Sequence, residues 1–258
     1  MRDFTLTAYR DLLDAFKEAG YPFQTFTDYL KNPLDKVILL RHDVDDRKLH
    51  SLEFARIQHE KGIVGSYYFR MVPESYDEGV IRAIYDMGHE VGYHYEDMDF
   101  AKGDPHKAIR LFEEHLAKLR GVVPVSTICM HGSPRSPYDN KDVWKHYRYR
   151  DYDLIGEPYF DIDYRRVFYM TDTGRRWNGS SVSVRDKVED HFGLVFRTTF
   201  DIIAAIRENR FPQRAMLNFH PQRWTDNPTL WLSDKYRQHA KNFVKYWLIR
   251  MRKAAATM

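Results

Sequence analysis

Leu6, Tyr9, Leu12, Leu13 and Phe16 recur at the spacing of one helical face, and Gly20 followed by Tyr21-Pro22 supplies the stop. Residues 1–33 therefore read as an N-terminal helical segment. After Asn32-Pro33, the apolar run Val37-Ile38-Leu39-Leu40 has the length of a buried strand and halts at Arg41-His42-Asp43-Val44-Asp45-Asp46. The pattern then repeats. A helix carrying Leu49, Leu52, Phe54 and Ile57 ends at Gly62, a strand is predicted from Ile63 to Phe69 with Arg70 after it, and a helix from Asp77 to Gly88. A strand from Glu90 to Tyr95 carries His94. The next helix has Asp104 as its cap, Pro105 in its first position, a buried face of Ile109, Phe112, Leu116 and Leu119, and Gly121 as its end. Ser126 to Met130 is a short strand that delivers His131. Weaker strands are predicted at Leu154 to Ile162 and Val167 to Met170, then a helix from Phe200 to Arg207, a strand from Ala215 to Phe219 that delivers His220, and a basic helix from about Pro228 to Arg252.

Strands alternating with helices predict an α/β fold with a parallel sheet and helices outside it, whose closed form is a βα barrel. Asp43, Asp45, Arg70, His94, His131 and His220 all fall at or just past a strand's C-terminal end, where barrel active sites are built. Asp43 and Asp45, two apart at an extended strand end, point the same way and can share one site.

Composition narrows the chemistry. With 258 residues, 43% hydrophobic and 30% charged, the chain suits one large domain over 1–258. Its net charge of +3 gives no electrostatic reason to expect a nucleic-acid partner. No apolar run reaches the length of a transmembrane helix, and Met1-Arg2-Asp3 opens onto polar sequence, so a cytoplasmic protein is expected. One cysteine, Cys129, builds neither an intramolecular disulfide nor a thiolate cluster, which leaves histidines and carboxylates as metal ligands. The C-terminal segment 228–258 interleaves Lys235, Arg237, Lys241, Lys245, Arg250, Arg252 and Lys253 with Phe243, Trp247, Leu248 and Met251. It reads as a helix that closes the barrel with its apolar side, with peripheral membrane contact as the alternative.

Leu39-Leu40-Arg41-His42-Asp43-Val44-Asp45, Gly88-His89-Glu90-Val91-Gly92-Tyr93-His94 and Met216-Leu217-Asn218-Phe219-His220 resemble the first, second and fifth motifs of the NodB-homology polysaccharide deacetylases. The resemblance implies a distorted (β/α)₇ barrel, with the active site at the C-terminal ends of the strands, and a metal-dependent hydrolase that removes acetyl groups from an acetylated carbohydrate. It makes Asp43 the general base, His220 the proton donor, and Asp45 and His94 ligands of a divalent metal, zinc first, with cobalt or nickel as alternatives. The second metal histidine of the family falls on Met98, a poor ligand for such an ion. His131 is the proposed replacement, with Glu96 and Asp99 as rivals. Asp172-Thr173-Gly174-Arg175-Arg176-Trp177 loosely resembles the fourth motif, so Asp172 and Trp177 join Arg70 as substrate-binding or supporting residues. Two alternatives stand beside this reading: a non-catalytic, glycan-binding relative, and another metal-dependent C–N or ester hydrolase on the same barrel. His42 and His89 read as structural histidines, and Cys129 as a small buried hydrophobe.

Overall fold

Helix α1 (Leu6–Glu18) starts where the Thr5 hydroxyl accepts from the Ala8 amide, and it buries the predicted stripe of Leu6, Tyr9, Leu12, Leu13 and Phe16. This is seen in a computed structural model that describes residues 2–133, 136–177, 188 and 191–238. Next come β1 (Phe23–Gln24), α2 (Phe26–Lys31), β2 (Val37–Val44), α3 (Lys48–Glu60), β3 (Ser66–Phe69), α4 (Glu78–Asp86), β4 (Glu90–Tyr95) and a short α5 (Asp97–Phe100). α6 (Pro105–Arg120) is capped as read from the sequence, Asp104 accepting from the His106 and Lys107 amides with Pro105 in first position. The chain continues through β5 (Ile128–Met130), α7 (Pro158–Asp161), β6 (Phe168–Thr171), α8 (Thr199–Arg207) and β7 (Arg214–Phe219). Residues 228–238 are helical; the rest of the basic helix expected to Arg252 lies outside the described residues.

Every strand pair is parallel, in the order β5-β4-β3-β2-β7-β6. This is the strand order of a barrel opened at the seam between β5 and β6, a curled half-barrel with helices around it. β1 lies on the edge of β2 at Ile38 and Leu39, ahead of the stretch from Arg41 that β3 takes. Among the described residues only the isolated Thr127–Gly156 bridge extends the β5 side of the seam.

Alternation along the strands builds two apolar layers. Ile38, Leu40 and Val44 of β2, with Tyr67, Phe69, Val91, Tyr93, Ala215, Leu217 and Phe219, pack against the surrounding helices. Val37 and Leu39, with Tyr68, Cys129 and Met216, face the barrel interior, where Phe26 of α2 joins them. Gly92 makes that interior possible: a Cβ there would lie 2.4 Å from the Tyr68 ring and 2.8 Å from the Thr127 carbonyl. Towards the C-terminal ends the same inward positions turn polar.

The strand expected at Leu154 to Ile162 is not one. Gly156 makes the single bridge, and Glu157-Pro158 then opens α7, the Glu157 carboxylate accepting from the Tyr159 amide at 2.5 Å. Proline has no N–H to give a ladder but suits a first helical turn. The strand expected from Ile63 begins at Ser66. Among the described residues no helix is long and apolar enough to cross a membrane.

Candidate active site

β2 carries Arg41 and Asp43 on its inward face, and Asp45 follows the strand end. The buried Arg41 holds Asp43 with two bonds, Nε to Oδ1 at 2.9 Å and Nη2 to Oδ2 at 2.7 Å, and stacks 5.1 Å from the Tyr159 ring centroid. Asn218, paired with Arg41 in the β2–β7 register, donates from Nδ2 to Asp43 Oδ2 at 2.9 Å. Burial alone would raise the Asp43 carboxyl, but the charges of Arg41 and His94, with the Arg41 hydrogen bonds, hold it well below the usual range.

His94 ends β4. Its Nδ1 lies 2.9 Å from the Cys129 carbonyl, which only accepts, so Nδ1 carries a hydrogen and Nε2 is the nitrogen turned inward. Nε2 lies 3.5 Å from Asp45 Oδ1, 3.9 Å from Asp43 Oδ2 and 3.2 Å from His131 Nδ1. His131 extends the β4–β5 pairing through its amide bond to the Tyr95 carbonyl at 2.9 Å, and the His131 carbonyl accepts from Asn140 Nδ2 at 2.8 Å. His131 Nδ1 is 3.2 Å from Asp45 Oδ1.

Asp45 Oδ1 is buried and makes no hydrogen bond, although both imidazoles face it. A buried carboxylate oxygen with no hydrogen-bond partner is costly unless a cation sits beside it. Asp45, His94 and His131 are one of two groups among the described residues whose donor atoms lie within 4.8 Å of one another; the other is Asp43, His94 and Cys129. Two imidazole nitrogens and a carboxylate oxygen suit zinc or a neighbouring first-row ion. Burial would raise the Asp45 carboxyl, yet His131, His94 and His220 hold it well below the usual range. Its other oxygen accepts from Gln222 Nε2 at 3.2 Å.

His220, just past β7, completes the cluster, its Nε2 3.7 Å from Asp45 Oδ2. Its ring is oriented by Asp172: Nδ1 lies 2.6 Å from Oδ1, and the His220 amide donates to Oδ2 at 2.9 Å. Asp172 also accepts from Trp224 Nε1 at 2.7 Å and Arg223 Nη1 at 3.0 Å. Burial pushes its carboxyl up, but His220 and Arg223 outweigh burial and keep it low. A carboxylate that fixes Nδ1–H leaves Nε2 to exchange protons with the cleft.

The remaining predicted residues sit around this cluster. Arg70 does not touch Asp43; it clamps Glu96 at 2.7 and 2.8 Å and donates to the Asp45 carbonyl at 3.1 Å. Glu96 is thereby engaged, its Oε2 3.8 Å from His131 Nε2, while Asp99 is bound by Ser136 and Asn140. Met98 is buried in the outer core on α5. Trp177 is buried behind β7, its ring 5.4 Å from Phe219 and its N–H donating to Thr199 at 2.9 Å, so its place is structural support rather than the cleft. His42 is buried between Tyr9, Gln58 and the Ser66 carbonyl, and burial lowers it to about 3. His89 lies against the Ala55 carbonyl and the Gly65 amide, lowered to about 4 by burial. Sequence reasoning missed Arg41, Asn218, Asn140 and Gln222. Arg41 had a signal, since it lies in step with Asp43 and Asp45 at a spacing of two.

Fold and site together define a parallel half-barrel whose strand ends gather one carboxylate and two imidazoles beside an arginine-held aspartate and an aspartate-held histidine. No protein-family model and no curated protein matches the chain. Among solved structures, the chain is similar to a CE4 family pseudoenzyme from Bacillus anthracis, at 14% identity and a TM-score of 0.45, over 83% of this chain and 63% of that one. It thus spans a little under two thirds of that protein. It is similar also to a family 4 carbohydrate esterase from Bacillus anthracis (12% identity, TM-score 0.42, 89% of this chain and 85% of that one). A third is a family 4 carbohydrate esterase from Streptomyces lividans in complex with acetate (16% identity, TM-score 0.40, 81% and 88%).

Proposed function

We propose that this chain is a metal-dependent hydrolase that removes an acetyl group from an acetylated sugar or polysaccharide precursor. The observation that carries the reading is the bare Asp45 Oδ1 facing His94 and His131, with Asp43 and His220 on either side of it. Asp45, His94 and His131 would hold a divalent ion, zinc by the chemistry of the donors. When bound there, such an ion polarises an acyl carbonyl and acidifies water.

The chain's own groups would handle the protons. Asp43 is held ionised beside His94, and as a carboxylate there it would accept the proton that water loses on attack. His220, protonated at Nε2 with Nδ1 held by Asp172, gives a proton to the leaving amine or alcohol as the bond to the acyl carbon breaks. Arg41 and Asn218 fix the direction of the Asp43 carboxylate, which bears on how well the proton transfer is aligned. The non-catalytic alternative draws on Met98, and the position of His131 beside Asp45 and His94 favours the catalytic reading over it.

The test is acetate release from N- and O-acetylated oligosaccharides by protein supplied with zinc, cobalt or nickel. Asp43→Asn and His220→Ala should each slow release about 10²- to 10⁴-fold while keeping the metal. Metal-loaded protein that frees no acetate from any of these substrates would shift the reading to another C–N or ester bond.

A further inference from the structure

A second concave site lies outside the cluster described above. Arg2, Arg175, Arg176, Arg197 and Lys235 wall a cleft of about 360 Å³ around Trp231. The carboxylate in its wall, Asp3, is already engaged: Oδ1 accepts from the Phe4 amide at 2.7 Å and the Thr199 hydroxyl at 2.5 Å, and Oδ2 from the Thr199 amide at 2.9 Å. Asp234 is taken by Arg47 at 2.6 Å and Arg237 at 3.1 Å. Among the described residues, no carboxylate forms an ion pair with the five cations of the cleft.

Three of these cations crowd one indole. Arg175 and Lys235 each lie 5.1 Å from the Trp231 ring centroid and Arg2 lies 5.9 Å away. The ring is pinned by its N–H, which donates to the Asp3 carbonyl at 2.7 Å, and Arg175 Nη1 donates to the Trp231 carbonyl at 3.0 Å. Like charges gathered around one cleft repel one another, a cost that a bound anion lowers. Even against the Asp3 carboxylate in the wall, five cations leave more positive charge than one phosphate dianion balances, and guanidinium groups match phosphate oxygens in geometry as well as charge. The loop that supplies Arg175 and Arg176 starts at Asp172, the partner of His220, and the Arg175 amide bonds back to the Asp172 carbonyl at 2.9 Å. One loop therefore has one end in the candidate active site and the other in the cationic cleft.

We propose that this cleft binds the diphosphate group of a phosphate-linked saccharide. The saccharide part rests on the hydrolase reading above; the diphosphate part stands on the cleft alone. The diphosphate can come from a nucleotide-linked or a lipid-linked sugar, two sources that share this chemistry.

Calorimetric titration of the full chain with inorganic pyrophosphate, at fixed ionic strength and beside sulfate, tests it. The double variant Arg176→Ala/Lys235→Ala removes two exposed cations and keeps the core intact. Expected are binding of pyrophosphate tighter than of sulfate, and a loss of about tenfold or more in the variant. Equal affinity in variant and wild type, or no preference over sulfate, overturns the proposal. Asp45→Asn, titrated in parallel, should bind pyrophosphate as the wild type does; loss of binding there would place the anion at the proposed metal centre and overturn it equally. Uridine diphosphate and farnesyl diphosphate then separate the sources: tighter binding of either than of pyrophosphate supports its linkage, and no gain from either overturns the linked-saccharide part.

Discussion

At the scale of single residues, Asp43 shows how a buried charge is made usable. Two guanidinium bonds and one amide bond occupy its oxygens, so it stays ionised where burial alone would protonate it. Removing Arg41 leaves that carboxylate buried and uncompensated. Arg41→Met is expected to cost about 3–5 kcal/mol in denaturant unfolding, and Arg41→Met/Asp43→Asn to recover most of it; equal losses in the single and double variants would mean that Arg41 acts through packing alone. Asp43 and Asp45 were legible as a pair because two-residue spacing on an extended strand puts side chains on one side, and both reach His94 Nε2, at 3.9 and 3.5 Å. Arg41 obeys the same periodicity but reads as a neutral strand residue until its partner is seen. Asn218 was not legible as a partner of Asp43 at all, since that contact follows from the β2–β7 register, which joins segments far apart in sequence.

At the scale of elements, strands and helices with clean caps were legible and the segment before β6 was not. Asp104-Pro105 and the α1 stripe settle their helices locally. Leu154 to Ile162 has strand-like apolar content, but Pro158 and the Glu157 cap turn it into a bridge and a helical turn. Gly92 shows a tertiary demand on one strand position: Gly92→Ala drives a methyl into the Tyr68 ring and the Thr127 carbonyl, and is expected to lower stability by about 1–3 kcal/mol or more, seen as a reduced melting temperature. Glu157 accepts from the Met130 amide of β5 at 3.0 Å as well as from Tyr159, and burial pushes its carboxyl from 4.5 up to about 7. A raised carboxyl means that the native chain holds this proton more tightly than the unfolded one. Its contribution to stability therefore falls as pH rises from about 4.5 to about 7, by on the order of 3 kcal/mol. The difference in unfolding free energy between wild type and Glu157→Gln, measured from pH 4.5 to 8, should move by that amount in favour of the variant as pH rises. A constant difference would mean that Glu157 stays ionised throughout.

At the scale of the whole molecule, alternating strands and helices made the parallel βα architecture legible, and the clustering of polar residues after strand ends pointed to the rim where the candidate site lies. The open seam between β5 and β6 was not legible, because the short β5 and the α7 turn give no local sign of where pairing stops. The central claim at this scale is that elements far apart in sequence build one metal centre: Asp45 after β2, His94 from β4 and His131 after β5. The most direct test is elemental mass spectrometry of untagged protein purified without chelator, beside His131→Ala prepared identically. About one equivalent of divalent metal in the wild type, largely lost in the variant, is the expected result. No metal in the wild type after zinc, cobalt or nickel is added back, or the same metal content in His131→Ala, would contradict it.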